Sequence, residues 1–202
     1  MKQAEIKTFY QTKFKKHGVA PQSLLWARKG AAHQRFRQIW AEVDFSGMRI
    51  LDVGCGFGEL AKFIGRKAEG FTYTGIDIVP EFVEEAQKQF PQHTFFVGDY
   101  LTEPIPGKYD IVVASGILNS NVENNMEYRV DAVNKLYALS RKVTVFNMLG
   151  SHPQPENREE SNIWYADSIE IIKHCFTLTR RVLIRHHYHP KDFTVFLYHT
   201  KK

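Results

Sequence analysis

The segment that most constrains this chain is ILDVGCGFGEL, residues 50–60. An apolar strand-like run ends at Val53, glycines follow at 54, 56 and 58, and a helical pattern begins at Glu59. Alternate glycines let the backbone turn tightly and approach a ligand with no Cβ in the way. The helix start behind them presents N–H groups that have no partner within the helix. In an open α/β sheet such a strand–turn–helix places a small-ligand site at the carboxyl ends of the strands. A dinucleotide fingerprint reads G-x-G-x-x-G, whereas this loop reads G-x-G-x-G with Asp52 two residues ahead of Gly54. A carboxylate there repels a pyrophosphate and favours a cation, such as an ammonium or a sulfonium.

From Gly47 onward, short β-branched and aromatic runs at 49–53, 73–77, 94–97, 109–114 and 142–147 alternate with helical patterns at 59–67, 81–90, 126–139 and 168–176. That order predicts a parallel sheet with helices on both faces. Two last runs, 178–186 and 193–199, have only HYHPKD between 186 and 193 and no room for a helix, so they are expected to form an antiparallel hairpin. Before Gly47, Phe36, Ile39, Trp40 and Val43 fall on one helical face. The 202 residues suit one domain. Residues 1–46 are expected to be a helical extension or lid packed on an α/β unit spanning 47–202, and the polar stretch 151–162 a surface loop.

DVGCGFG, residues 52–58, resembles motif I of the class I S-adenosylmethionine-dependent methyltransferases. The likeness runs through TGIDIVP (74–80), FVGDYLT (96–102) and YDIVVASGIL (109–118). It implies an α/β, three-layer Rossmann-like sandwich of seven mostly parallel strands closed by an antiparallel hairpin. It also implies an enzyme that uses S-adenosylmethionine and releases S-adenosylhomocysteine. By position in those motifs, Asp52, Gly54, Cys55, Gly56 and Gly58 would cradle the cofactor. Asp77, with Ile78, would hold the ribose hydroxyls, and Asp99, with Tyr100, the adenine amino group. Ser115 would lie beside the departing methyl group, and Arg35 could reach the methionine carboxylate together with Gln34 or else lie on the helix's wet face beside Arg37. The chain lacks the L-x-P-G-G segment that many members carry before the fifth strand.

The acceptor is less legible. SGILNSN, residues 115–121, carries neither the D/N-P-P-aromatic signature nor the Pro-Cys nucleophile of nucleic-acid methyltransferases. A small polar molecule is therefore the expected substrate, with His152 a candidate base and Asn119 and Asn147 candidate contacts. Net charge is +5, and the basic residues Lys13, Lys15, Lys16, Arg28, Lys29, Arg35 and Arg37 precede the first strand. They leave open RNA or protein docking, or attraction of an anionic substrate. A sensor that binds the cofactor without catalysis is a third reading. His186, His187 and His189 have no chelating geometry on a strand, so no metal is expected. Two cysteines give no disulfide framework, and the sequence shows neither a membrane span nor a signal-peptide pattern, so a cytoplasmic protein is expected.

Overall fold

The computed structural model describes residues 5–26 and 29–200. A single sheet of eight strands carries the fold, with order β3-β2-β1-β4-β5-β8-β7 and a short β6 paired to β5. The strands are β1 (Arg49–Val53), β2 (Thr72–Asp77), β3 (Thr94–Val97), β4 (Tyr109–Ser115), β5 (Ser140–Ser151), β6 (Ala166–Asp167), β7 (Val182–Arg185) and β8 (Asp192–Tyr198). The first five pair in parallel; helices join β1 to β2, β2 to β3 and β4 to β5, and a loop, residues 98–108, joins β3 to β4. The strand order reverses between β1 and β4, and a crevice opens there at the carboxyl edge.

β1 and β4 are buried on both faces, which is why their sequences read as continuous apolar runs rather than alternation. Side chains from successive residues enter opposite layers. Leu51 and Val53 join a cluster with Ala132, Leu136, Ile171 and Cys175 of α5 (Asn125–Leu139) and α6 (Ser168–Leu178). Ile50 joins the other face, against Phe36 and Ile39 of α2 (Lys29–Trp40), Leu60 of α3 (Glu59–Ile64), and Val83 and Ala86 of α4 (Pro80–Gln89). A third cluster forms where Tyr10 and Phe14 of α1 (Glu5–His17) pack on Phe57, Val79 and Phe82.

The closing hairpin pairs as the sequence predicts, with Ile184 opposite Val195, but β8 lies between β5 and β7. It also pairs antiparallel with β5 from Val143–Tyr198 to Leu149–Asp192, so β8 alone runs against the rest of the sheet. Several boundaries differ from expectation. α6 continues to Leu178 and Thr179 ends it, which leaves β7 only Val182–Arg185. β5 extends over 12 residues because it begins early, at Ser140, which pairs with Tyr109 of β4, and runs on through Met148 and Leu149, paired with β8, to Gly150 and Ser151, paired with β6. The expected seven strands become eight, since two residues of the polar stretch's far flank, Ala166 and Asp167, pair with Gly150 and Ser151.

Candidate cofactor and acceptor site

The glycine loop stands in the left-handed region that its residues were expected to need: φ is 72° at Gly54, 53° at Gly56 and 80° at Gly58. Space is as restrictive as the dihedrals. A Cβ on Gly54 would lie 2.0 Å from Cγ2 of Ile117, and one on Gly58 2.8 Å from the Phe90 ring. The amides of Gly54 and Cys55 donate to the carbonyl of Ile76 at 2.7 and 3.1 Å, tying the loop to the end of β2.

Asp77 ends β2 and is 9% exposed. Its Oδ2 accepts from the Gly56 amide and its Oδ1 from the Val79 amide, each at 3.0 Å, so it shapes the glycine loop and the entry to α4 together. Asp52, 3% exposed, accepts a hydrogen bond from the Tyr73 hydroxyl. Burial pushes Asp52 up to about 7, with the Asp77 charge adding to the rise and Tyr73 opposing it. Burial pushes Asp77 up to about 6 against the stabilising amides of Val79, Gly56 and Ile78. No cationic side chain of the described residues figures beside either carboxyl. Two buried carboxyls without a cation make a seat for a positively charged ligand.

One cavity joins these parts. It is lined by Asp52, Gly54, Cys55 and Gly56 of the loop, by Asp77 and Ile78, by Asp99 and Tyr100, and by Ser115 to Ile117 after β4. Asp99 follows β3 and accepts from the Leu101 amide at 2.9 Å. Cys55 contributes its stretch of backbone, while its side chain lies against Gly75 inside the sheet. Gly58 belongs to the turn but not to the lining, because Phe90 and Phe95 cover it. A glycine cradle, a buried pair of carboxyls and a third strand-end carboxyl on one crevice fit a ligand with a cationic end, hydroxyls and an amino-bearing ring.

The residues singled out for acceptor chemistry lie elsewhere. Asn147 is fully buried: its Oδ1 accepts from the Gly116 amide and its Nδ2 donates to Ser115 Oγ, both at 2.9 Å. Asn119 is likewise used, donating to the Gly116 carbonyl at 3.2 Å and accepting from the Leu149 amide at 2.7 Å. Both clamp the loop after β4 to β5. His152 is exposed, pairs with Asp167 at 3.0 Å and lies outside the cavity lining. Gln34 donates to the Tyr188 carbonyl at 2.6 Å. Arg35 is buried rather than on a wet helix face, with Nε on Asp192 Oδ2 at 2.6 Å; its Nη1 lies 3.2 Å from where a Gly116 Cβ would stand. Arg28 lies outside the described residues.

Sequence reasoning passed over the side chains that close the cavity. Ile6 and Tyr10 of α1, Leu24 and Trp26 of the segment after it, Phe82 of α4 and Tyr128 of α5 all line it. Ile6, Tyr10 and Phe14 recur every fourth residue and carry the signal of a packed helix face that could have flagged α1.

Comparison with known proteins agrees with this geometry. A sequence family described as a methyltransferase domain matches residues 50–141. A putative methyltransferase of Mycobacterium tuberculosis is 29% identical over 155 residues, covering 72% of this chain and 90% of that protein. Other curated relatives are matched over only 4% to 33% of their own length. Among solved structures, magnesium protoporphyrin IX methyltransferase from Synechocystis PCC 6803 with bound S-adenosylhomocysteine superposes with a TM-score of 0.69 at 16% identity, covering 98% of this chain and 97% of that one. The N-methyltransferase NodS of Bradyrhizobium japonicum, also with S-adenosylhomocysteine, gives 0.69 at 12% identity, covering 96% and 98%.

Proposed function

We propose that this chain is a class I S-adenosylmethionine-dependent methyltransferase, as its match to a methyltransferase domain over 50–141 and to a putative methyltransferase supports, and that it transfers a methyl group to a small polar molecule. The observation that carries the substrate class is closure of the cavity. α1 lies over it, with Tyr10 and Phe14 on Phe82 and with Gln11 donating to both carboxylate oxygens of Glu81 at 3.0 and 3.2 Å. A pocket roofed by aromatic side chains suits a compact acceptor better than a polymer chain.

S-adenosylmethionine, when bound, supplies an electrophilic methyl carbon on a sulfonium. The protein's share is alignment and exclusion of water. Asp77 would take the ribose hydroxyls through the lone pairs its two amide contacts leave free. Asp99 would take the adenine amino group. Residues 54–58 would let the backbone lie along the methionine part, and the charge of Asp52 beneath would stabilise its cationic end. Asn147 and Asn119 hold residues 115–119 rigid beside the reacting centre. Arg35 would meet the methionine carboxylate through its Nη groups, with Asp192 fixing its angle.

A basic docking surface for RNA is the weaker reading. Arg35 belongs to a buried ion pair and Phe14 is packed on Phe57 and Phe82, so the exposed cations Lys15, Lys16 and Arg37 do not have Phe14 as a free stacking platform. Incubation with methyl-labelled S-adenosylmethionine and either total RNA or a low-molecular-weight metabolite extract tests the choice. Label is expected in the metabolite fraction; label in the RNA would reverse it.

A further inference from the structure

The net charge of +5 is spread unevenly over the molecule. At the carboxyl edge of the sheet stand Asp52, Glu59, Asp77 and Asp99 of the cofactor cavity, and Glu123, Glu127 and Asp131 line a second groove beside Tyr128. The amino edge is the reverse. Arg49 opens β1, Lys108 immediately precedes β4, Arg141 and Lys142 are the second and third residues of β5, and Arg180 and Arg181 lead into β7. All of them are exposed. β8 runs the other way, so its end delivers His199 to the same edge. These strands are neighbours in the sheet, in the order β1-β4-β5-β8-β7. At roughly 4.8 Å per strand, the cations form a strip about 20 Å long.

Contacts join the strip into one surface. Lys142 Nζ reaches Met48 Sδ at 3.1 Å and Asp110 at 3.7 Å. Lys108 donates to the Ala138 carbonyl, and Tyr137 beside Ala138 stacks on His199 with ring centroids 4.0 Å apart. Arg181 Nη1 donates to the His199 carbonyl at 3.0 Å. Burial pushes His199 below its ordinary value, and the positive field of Lys108 adds to the fall. The guanidinium groups of Arg49 and Arg181 lie over the rings of Tyr109 and Tyr198, each 5.6 Å from the centroid. An aromatic face orients a guanidinium without neutralising it. Counter-charge is thin: among the described residues, the ion pair on the strip is that of Lys142 with Asp110. Glu42 is taken up by Arg185 and the Tyr198 hydroxyl, while Asp44 and Glu69, on the turns before β1 and β2, stand beyond the β1 end.

Local structure accounts for part of the strip. Lys108 closes the C-terminal end of α5, and Arg180 follows that of α6, both places where the helix dipole favours a cation. Arg49, Arg141, Lys142 and Arg181 lie at the starts of strands, and a sheet has little net dipole to draw them there. A surface of cations with few carboxylates among them attracts a polyanion.

We propose that this strip docks the phosphodiester backbone of single-stranded RNA, held as a partner and not as the methyl acceptor. The strip is narrow, following the ends of one sheet, so it tracks one backbone rather than the two of a duplex. Its side chains are charges without a base-reading pattern, so binding is indifferent to sequence. The cofactor cavity opens at the far ends of the strands and stays free, and the carboxylates there turn the backbone toward the amino edge. An anionic membrane is the other extended polyanion. Stable seating on it asks for apolar side chains beside the cations. The large apolar side chains exposed among the described residues, Val19, Leu25, Val97, Ile169 and Phe176, all lie off these strand starts. The proposal stands apart from the methyltransferase reading.

Fluorescence anisotropy of a labelled oligouridine of about 16 nucleotides with the full chain tests it. Binding is expected at about 50 mM salt, weakening roughly a hundredfold by about 200 mM, from a slope of about −3 to −4 in log K against log salt. The triple variant Arg141→Gln/Arg180→Gln/Arg181→Gln should bind roughly tenfold more weakly and lose about 2 from that slope, with its melting temperature unchanged. Should it melt lower, Arg49→Gln/Lys142→Gln at the other end of the strip carries the same expectation, with about 1.4 lost from the slope. Lys15→Gln/Lys16→Gln on α1 should bind as the wild type does. Saturating S-adenosylhomocysteine should leave the RNA affinity unchanged. Absence of salt-dependent binding, a strip variant that folds and binds as the wild type does, an equal loss in the α1 variant, or competition by S-adenosylhomocysteine overturns the strip as the docking surface. Tighter binding of a duplex of the same length, or sedimentation with phosphatidylglycerol vesicles at a salt concentration where the oligouridine no longer binds, overturns the choice of partner.

Discussion

At the scale of single residues, Gly54 is where dihedral and steric demands coincide. Gly54→Ala must place a Cβ 2.0 Å from Ile117 at a φ of 72°, so both the loop and the turn after β4 have to shift. We expect a loss of about 1–3 kcal/mol in urea unfolding and no measurable S-adenosylhomocysteine binding by calorimetry. The buried carboxyls give a pH signature. Asp52 and Asp77 titrate at about 7 and about 6 in the folded chain, above the ordinary 3.8. The folded state therefore holds protons that the unfolded state has lost, and the stability they contribute is full below about pH 4 and disappears as pH rises through 6 and 7. Thermal unfolding of the ligand-free protein should show that decline, and Asp52→Asn should flatten it. A cationic ligand favours the ionised pair, so calorimetry in buffers of differing ionisation enthalpy should detect proton release on S-adenosylhomocysteine binding near about pH 6.5. Legibility at this scale followed chemistry. Asp52, Asp77 and Asp99 announce themselves because glycine spacing and strand ends fix where they sit. Asn147 misled, since an amide at the end of a strand looks the same in sequence whether it faces a ligand or clamps a neighbouring loop. Arg129, buried in α5, is the one charge in an apolar helical stripe, but two of the carbonyls it donates to, those of Leu118 and Ser120, come from a loop whose path only the fold reveals.

At the scale of elements, the helices over the sheet were legible wherever apolar residues recur with helical spacing on one face, as Phe82, Val83 and Ala86 do on α4. Ends were harder to place. α6 starts at a well-defined cap: Asp167 accepts from the amides of Ile169 and Glu170 at 2.8 and 3.4 Å while also pairing with His152. Asp167→Ala should cost about 1 kcal/mol in denaturant unfolding, and Asp167→Asn, which keeps a capping oxygen, much less. β6 escaped notice because a two-residue strand has no period. β5 was underestimated because Ser140 and Arg141 look like a turn. The sheet accepts them, with Ser140 bonded to Thr144 Oγ1 and His199 and with Lys142 paired to Asp110 at its exposed rim.

At the scale of the whole molecule, charge is divided by place. Asp52, Asp77, Asp99 and Glu59 all line the cavity of a chain whose net charge is +5. The surplus of cations therefore lies outside the cofactor seat. A ligand that binds only the folded chain stabilises it by RT ln(1 + [L]/Kd), about 2.7 kcal/mol at a hundredfold excess over Kd. For a domain of this size S-adenosylhomocysteine should then raise the melting temperature by roughly 5–10 °C, while adenosine, which lacks the cationic end, should do much less. That shift, read by differential scanning fluorimetry, reports on the whole crevice, because α1, α4, α5 and the carboxyl edge of the sheet each contribute side chains to it.

The position of β8 has a consequence for how the molecule comes into being. It is made after β7 yet lies between β5 and β7, and it carries Asp192, the partner of Arg35. During vectorial synthesis β7 emerges with no neighbour to join, and the sheet stays open at β5 until 192–198 leave the ribosome. Nascent chains arrested before Asp192 should be cleaved readily by protease with or without S-adenosylhomocysteine, and protection should appear abruptly once β8 is free.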